Sequence, residues 1–359
     1  MFGNLDFKLV LEERKICPRY SRNGFIMPSI IKASIRGTLD RLLSRLPIAR
    51  FVYAERESLR ARLVQTEASL TESEMQRAVE SASRREIERP ARLAESSKCF
   101  VLSGGLLRIT ADCALGNAGE TLLLPFDKVM YPNIIENNGW QLEELGFLKD
   151  RINPDQRYTL LDIGANVGLF TRQVANRFPN ICQNICVEAD PENFRALQFN
   201  LTKLPAKRCH LWNIALSEAD AEREFLRDAE NIGNYSLNAD AMRHRPFQTV
   251  KIRAAATDVW MREHIALDPN TRLIWKSDTQ GYDEVIVSMT PLEIWHQVDM
   301  AIIELWRIKK PTFDRIAFQK RIESFPNCSI GLGGRHSVSD VMTFLDGDDW
   351  RHDDLYLWR

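Results

Sequence analysis

From about residue 99 onwards, short apolar runs alternate with stretches in which apolar residues recur every three or four positions. The short runs predict buried strands, and the spacing of three or four predicts helices that turn one face to a core. Strands are expected at 158–163, 184–188, 209–214, 249–253, 273–277, 300–305, 341–345 and 354–358. Helices are expected at 169–177, 191–201, 282–289 and 312–325. This alternation is typical of an α/β fold in which helices cover both faces of a mostly parallel sheet.

The segment before this alternation has a different pattern. Residues 99–127 carry three short apolar runs separated by glycines, which predicts strands and turns, and residues 140–148 have helical spacing. Between residues 35 and 87 the spacing is also helical, with an interruption at Pro47. We therefore expect an N-terminal helical arm over residues 1–95 and an α/β domain over residues 96–359.

The arm is basic although the whole chain has a net charge of only -1. Residues 14–62 contain twelve Lys or Arg against three Asp or Glu. Two interpretations follow: the arm contacts an anionic membrane surface or a partner helix, or it is a solvated arm that packs on its own domain or on a second copy. The overall charge does not favour a nucleic-acid partner.

The cysteines and the apolar runs bear on where the protein works. The seven cysteines are scattered and form no CxxC pair, which favours reduced thiols over disulfide bonds. Cys182 and Cys186 are four positions apart, but the sequence offers no second pair and no nearby His to complete a zinc site. The first 30 residues lack an unbroken apolar run, and no uncharged run approaches the roughly 20 residues that a membrane span needs. These features predict a cytoplasmic protein without a metal site.

Polar residues and glycines follow the strand expected at 158–163. They are Asp162, Gly164, Asn166 and Gly168, and a helical pattern begins directly after them. Glycine lacks a Cβ, so the backbone can pass close under a bound nucleotide, and a glycine at a helix start allows close packing. The spacing Gly-x-x-x-Gly lacks the third glycine of the GxGxxG fingerprint, which disfavours a dinucleotide.

The ends of the next two expected strands add groups that suit an adenosine. Glu188 follows its strand 26 positions after Asp162, and an acid there can accept hydrogen bonds from both ribose hydroxyls. Asn213 and Ala215 follow the third strand, where a polar side chain and a small residue can contact the edge and face of an adenine.

Charged residues are concentrated where the strand expected at 273–277 ends. Lys276, Asp278 and Gln280 lie together there, and Glu304 follows the next strand. Because the carboxyl ends of parallel strands meet at one edge of the sheet, these carboxylates are candidates for acid–base work. Ordinary charges at the rim of a sheet are the alternative.

Taken in order, these motifs resemble those of the FkbM-type methyltransferases. The resemblance covers roughly residues 100 to 359 and rests on segments 161–168, 187–191 with 200–201, 213–216, 233–236, 276–283 and 303–304. It implies the seven-stranded sheet of class I methyltransferases, S-adenosylmethionine as cofactor, and methylation of a hydroxyl oxygen on a sugar, a polysaccharide or a secondary metabolite. Asp283 stands where the family commonly has Glu, which leaves its role open.

Residue roles follow from the motifs and the resemblance together. Cofactor contacts are expected from Asp162, Gly164, Asn166, Gly168, Glu188, Asn213 and Ala215. Asp278 is expected to take the acceptor's proton or to orient the acceptor, with Lys276 and Glu304 as further catalytic candidates and His336 in reserve. Acceptor contacts are expected from Asn234, Ser236 and Gln280.

Two rival functions use the same residues. In the first, Asp278 and Glu304 hold a divalent metal ion that assists O-methylation. In the second, the domain keeps the cofactor fold without catalysis, and the basic arm recruits it to a membrane-associated glycan assembly. Nucleic-acid methylation is disfavoured because no Asn-Pro-Pro-Tyr-like tetrapeptide is present.

Overall fold

The computed structural model describes residues 99–103, 106–125, 128–202, 204 and 208–359. The predicted basic arm, residues 1–95, lies outside the described residues, as does its boundary with the α/β domain. In chain order the strands are β1 (Phe100–Ser103), β2 (Leu106–Ile109), β3 (Thr121–Leu122), β4 (Arg157–Ile163), β5 (Ile181–Val187), β6 (Cys209–Trp212), β7 (Ala215–Ser217), β8 (Ala221–Asp228), β9 (Phe247–Ala256), β10 (Thr271–Ser277), β11 (Val298–Trp306), β12 (Asn327–Ile330) and β13 (His352–Trp358). The helices are α1 (Met130–Asn137), α2 (Leu142–Lys149), α3 (Leu169–Arg177), α4 (Pro191–Leu201), α5 (Thr257–His264), α6 (Asp283–Met289), α7 (Leu292–Trp295), α8 (Arg315–Glu323) and α9 (Val338–Leu345).

Seven strands form the central sheet in the order β12-β13-β11-β10-β4-β5-β6. Neighbours from β11 to β6 pair in parallel, and β13 runs antiparallel to both of its neighbours. Strand β4 lies inside the sheet, between β10 and β5, and is buried at every position after Arg157, as expected of an inner strand covered on both faces. This sheet confirms the predicted α/β fold with a mostly parallel seven-stranded sheet.

Helices pack on both faces of the sheet because successive side chains of each strand point to opposite sides. Leu161 and Trp275 belong to a large apolar cluster that also contains Ile286 of α6 and Phe318 of α8. Leu160 belongs to a second cluster, which includes residues of α2 and α3. The two clusters hold the carboxyl ends of β4, β5, β10 and β11 along one edge of the sheet.

Two small sheets flank this edge. Strands β1, β2 and β3 form an antiparallel sheet that matches the strands and turns predicted for residues 99–127. Strands β7, β9 and β8 form the other, in that order, and contain the predicted strand 249–253. That strand therefore does not join the central sheet.

One predicted strand, 341–345, is wrong, because these residues belong to helix α9. Ser337 and Asp340 form a capping box at the start of this helix, and the buried Val341 and Leu345 lie four positions apart on one face. Strand β12, which is the sixth strand of the central sheet along the chain, was not predicted from the apolar pattern. Among the helices of the described ranges, none is both long and apolar enough to cross a membrane.

Candidate functional site

One cavity opens at the carboxyl edge of the sheet, with a volume of about 800 Å³ that includes open solvent at its mouth. Six of the predicted residues line it: Gly164, Asn166, Glu188, Ala215, Lys276 and Asp278. Sequence reasoning missed other lining residues, among them Trp140, Gln141, Phe170, Tyr235 and Leu237. Trp140 and Gln141 precede α2, far from the strand ends in sequence, so no local motif marked them.

The turn between β4 and α3 forms the floor at one end of the cavity. Gly164, Asn166 and Gly168 have φ angles of 75°, 51° and 81°, in the left-handed region that favours glycine. A Cβ on Gly164 would lie 2.0 Å from the carbonyl oxygen of Asp278. The neighbouring strand end therefore requires this glycine directly. A Cβ on Gly168 would lie 2.6 Å from Leu197 of α4, so Gly168 serves helix packing outside the cavity wall.

Asp162 lies beneath this floor. Its carboxylate is fully buried and accepts a hydrogen bond of 2.6 Å from the Thr171 hydroxyl, and Lys276 Nζ lies 3.4 Å from its other oxygen. Asp162 thus ties β4 to α3 and β10. Asp162, which was predicted to contact a cofactor, does not line the cavity, because its carboxylate points under the turn rather than over it.

Glu188 connects the end of β5 to the glycine turn. Its two carboxylate oxygens accept hydrogen bonds of 2.8 Å from the backbone N–H groups of Asn166 and Asp190. Burial raises the pKa of Glu188 to about 8, although both N–H groups favour the ionised form. The site thus contains a buried carboxyl group that takes up a proton near neutral pH.

Asn213 lies beside Glu188 but outside the cavity wall. It is exposed, and its amide donates hydrogen bonds to the backbone carbonyls of Glu188 (2.9 Å) and Ala189 (3.1 Å). Its role in this structure is to join the ends of β5 and β6. The apolar residues after it, Ile214 to Leu216, line the cavity instead.

Lys276 and Asp278 line the cavity at the carboxyl end of β10, next to the glycine turn. Lys276 is buried, and its Nζ lies 3.4 Å from Asp162 and 3.5 Å from Asp278. Burial by itself lowers the pKa of Lys276, but the two carboxylates raise it by more, so the amine stays charged. Asp278 accepts hydrogen bonds from Gln141 Nε2 at Oδ2 (3.0 Å) and from Gln280 Nε2 at Oδ1 (2.6 Å).

Gln280 and Glu304 stand behind Asp278. The Nε2 of Gln280 also donates a 2.9 Å hydrogen bond to Glu304, so one amide nitrogen serves two carboxylates. Burial raises the pKa of Glu304 well above its ordinary value, and the charges of Asp278 and Asp283 raise it further. Neither Gln280, which was predicted to contact the acceptor, nor Glu304 lines the cavity, and the amide of Gln280 contacts Asp278 and Glu304 instead.

The loop over the cavity alternates between its two sides. Asn234 and Ser236 are buried: Asn234 donates to Asp228 (2.9 Å), and Ser236 donates to the carbonyl of Gln280 (2.7 Å). The residues between and after them, Tyr235 and Leu237, face the cavity. Asn234 and Ser236, which were predicted to contact the acceptor, are therefore not part of the cavity wall. Polar side chains in this loop satisfy backbone and side-chain partners, and apolar ones form the wall.

Asp283 and His336 lie outside the cavity wall. Asp283 is buried, accepts hydrogen bonds from the backbone N–H (3.1 Å) and hydroxyl (2.8 Å) of Thr279, and so braces the start of α6. Burial, together with the charges of Glu284 and Asp278, raises its pKa to about 7. His336 Nδ1 accepts a hydrogen bond from the backbone N–H of Ile330 at the end of β12, so its ring supports a loop.

The metal-assisted alternative finds little support in the donor groups. Asp278 and Glu304 are both occupied by the same donor nitrogen of Gln280. Within the described ranges no group of three or more His, Cys, Asp or Glu side chains is arranged to hold a metal ion.

Comparisons with known proteins found similarity to solved structures at low sequence identity and low TM-score. No protein-family model matches the sequence, and no curated protein sequence does. A solved methyltransferase FkbM from Methylobacillus flagellatus is 15% identical, with a TM-score of 0.36, and the match covers 77% of this chain and 60% of that one. A precorrin-6y C5,15-methyltransferase from Geobacter metallireducens is 11% identical, with a TM-score of 0.30 and coverage of 61% and 88%. A putative methyltransferase from Escherichia coli is 14% identical, with a TM-score of 0.34 and coverage of 71% and 99%.

Proposed function

We propose that this protein is an S-adenosylmethionine-dependent methyltransferase that methylates a hydroxyl oxygen of a sugar, a polysaccharide or another small molecule. One observation carries the proposal: a single cavity joins a nucleoside-type end, with Glu188 and Ala215, to a carboxylate end, with Asp278. The first end suits an adenosine, and the second offers a proton acceptor to a hydroxyl group.

The residues of the nucleoside-type end fit this cofactor. Glu188 has a carboxylate that can accept from ribose hydroxyls, and Ile214, Ala215 and Leu216 supply an apolar wall for a base. The side-chain oxygen of Asn166 is buried without a hydrogen-bond partner. An unsatisfied buried acceptor lowers the stability of the folded protein unless a ligand supplies a donor. When bound, the cofactor supplies a methyl group already activated by a sulfonium.

The work left to the protein is to align the acceptor, exclude water and hold a proton. Trp140, Phe170, Tyr235 and Leu237 give the cavity an apolar wall that displaces water. Asp278, held by two amide donors, takes the hydroxyl proton as the oxygen loses it, or orients that oxygen. The ammonium of Lys276 lies 3.5 Å from this carboxylate and places a positive charge beside it.

Two measurements test the proposal. Calorimetry with S-adenosylhomocysteine should detect binding to the wild-type protein. Methyl-labelled S-adenosylmethionine should then transfer label into one of three fractions from the source organism: glycans, lipid-linked sugars or small molecules. Absence of binding would overturn the cofactor assignment, and binding without transfer to any fraction would favour the non-catalytic alternative.

The finer assignments belong to the same proposal. We place the chain with the FkbM-type enzymes on its ordered motifs, in the cytoplasm on its cysteine pattern, and without a nucleic-acid acceptor on its net charge. Transfer of label that survives exhaustive chelation would exclude the metal-assisted route.

A further inference from the structure

Two of the five non-glycine residues with a left-handed backbone in the described ranges contact the side chain of Asp278. Gln141 and Gln280 have φ angles of 48° and 56°, in a region where the Cβ of a non-glycine residue crowds the backbone. Both residues donate a hydrogen bond to Asp278, one to each carboxylate oxygen. Residues held in such conformations cluster at functional sites, where the surrounding structure maintains them.

The backbone of Gln141 is fixed through the residue before it, Trp140. Gln173 of α3 is fully buried, accepts a hydrogen bond from the N–H of Trp140 (2.9 Å) and donates one to the carbonyl of Trp140 (2.5 Å). Gly139 comes just before, and a Cβ there would lie 2.6 Å from Leu142 and 3.0 Å from Gln173. The chain at 139–141 is thus fixed by α3, the helix that follows the glycine turn.

The contact between Gln141 and Asp278 joins residues 137 positions apart. Gln280 is fixed in turn, because Glu304 accepts from its amide nitrogen and Ser236 donates to its carbonyl. Each carboxylate oxygen has two acceptor positions. With one amide on each oxygen, the carboxylate of Asp278 cannot rotate freely, and acceptor capacity remains for a hydroxyl in the cavity.

We propose that Gln141 is a positioning residue that fixes the carboxylate of Asp278 for methyl transfer, and that the left-handed backbone at position 141 is maintained for this contact. The inference rests on the proposed function. It adds a residue from outside the strand ends, and it makes the segment before α2 part of the acceptor half of the site.

The decisive variant is Gln141→Gly, because it relieves the backbone strain and removes the donor together. We expect turnover to fall about tenfold or more, since a hydrogen bond to a charged group is lost. The thermal midpoint should stay near the wild-type value, because relief of the backbone offsets the lost hydrogen bond, and affinity for S-adenosylhomocysteine should not change. Gln141→Asn should behave in the same way, because Asn tolerates this backbone but is one methylene too short to reach Asp278.

Asn138→Gly is the matched control. Asn138 has a φ of 53°, ends α1, is exposed and does not line the cavity. This variant should keep wild-type turnover. A residue with a purely structural role at 141 would instead give variants in which thermal midpoint and turnover fall together.

A crystal structure of Gln141→Gly gives a readout that needs no acceptor: the Asp278 carboxylate should adopt more than one orientation or turn away from its wild-type position. Full turnover in both variants at 141, or an unmoved Asp278 in this structure, would overturn the inference. A wild-type protein that neither binds S-adenosylhomocysteine nor transfers methyl groups would overturn the proposed function instead, and the crystal structure would still decide whether Gln141 positions Asp278.

Discussion

The two ends of the cavity are built in different ways. At the nucleoside-type end, Glu188 contacts the backbone N–H of Asn166, 22 positions away, across two adjacent parallel strands. At the carboxylate end, Asp278 is held by side chains, and Gln141 comes from 137 positions away. The first end is fixed by backbone geometry that follows from the β4–α3–β5 connection, whereas the second depends on side chains from separate elements.

This difference separates what is common to a fold from what a given protein adds to it. A site made of backbone N–H groups and a glycine turn depends little on which side chains surround it. A site made of amide and carboxylate side chains changes with single substitutions. Binding of the cofactor and turnover should therefore respond to different mutations, and the following predictions test that separation.

The largest effect is expected from Asp278→Asn. Loss of the carboxylate removes the proton acceptor, and the new amide would face the donor groups of Gln141 or Gln280. We expect turnover to fall by about 10²- to 10⁴-fold, while S-adenosylhomocysteine binds as it does to the wild-type protein. Labelled methyl transfer and calorimetry measure the two quantities, and full activity in the variant would remove Asp278 from the mechanism.

Gly164→Ala should damage both ends together, because the two meet at this residue. The added Cβ would lie 2.0 Å from the carbonyl oxygen of Asp278, and the φ of 75° is unfavourable for alanine. We expect a loss of about 2 kcal/mol or more in the free energy of unfolding, measured by denaturant titration. Gly146→Ala in helix α2 is the control, since a Cβ there meets no atom within 4 Å and should increase stability.

Much of the nucleoside-type end was predictable from the sequence, because its parts follow strands with strong apolar patterns. Gly164, Asn166, Glu188 and Ala215 all line the cavity. The direction of individual side chains was not predictable: Asp162 points under the turn, and the loop 233–238 presents Tyr235 and Leu237 rather than its polar residues. A polar residue near a site is as often a support for the backbone as a contact for a ligand.

The carboxylate end was predictable only in part. Lys276 and Asp278 follow β10 as expected, but Gln141 carries no local signal, since its contact forms through tertiary structure. The prediction of strands and helices was limited in the same way. Inner strands such as β4 were found, whereas the four-residue edge strand β12 was missed and α9 was mistaken for a strand, because short apolar runs fit either element.

Glu188→Ala should weaken binding of S-adenosylhomocysteine by about 10- to 100-fold, the loss expected for hydrogen bonds to a charged group. The backbone N–H groups of Asn166 and Asp190 would also lose their acceptor. Glu192→Ala is the control, because Glu192 lies two residues into α4 with an exposed side chain. Unchanged affinity in the Glu188 variant would contradict the assignment of the ribose to this carboxylate.

The smallest effect is a pH dependence of cofactor affinity that originates in Glu188. Its pKa is raised to about 8 in the free protein, and ribose hydroxyls would donate to the ionised carboxylate and lower that pKa in the complex. Binding below pH 8 must then release a proton, so affinity for S-adenosylhomocysteine should rise with pH from 6 to 8, by at most about tenfold per unit, and level off above.

Calorimetry in buffers of different ionisation enthalpy measures this proton release directly. Glu188→Gln has no proton to release, so its affinity should lose the pH dependence while Glu192→Gln keeps it. If the wild-type affinity were flat between pH 6 and 8, the ribose would not be bound by this carboxylate, and the nucleoside-type end would depend on backbone groups alone. If the dependence appeared in turnover but not in affinity, the titrating group would belong to the carboxylate end, where the buried Glu304 also has a raised pKa.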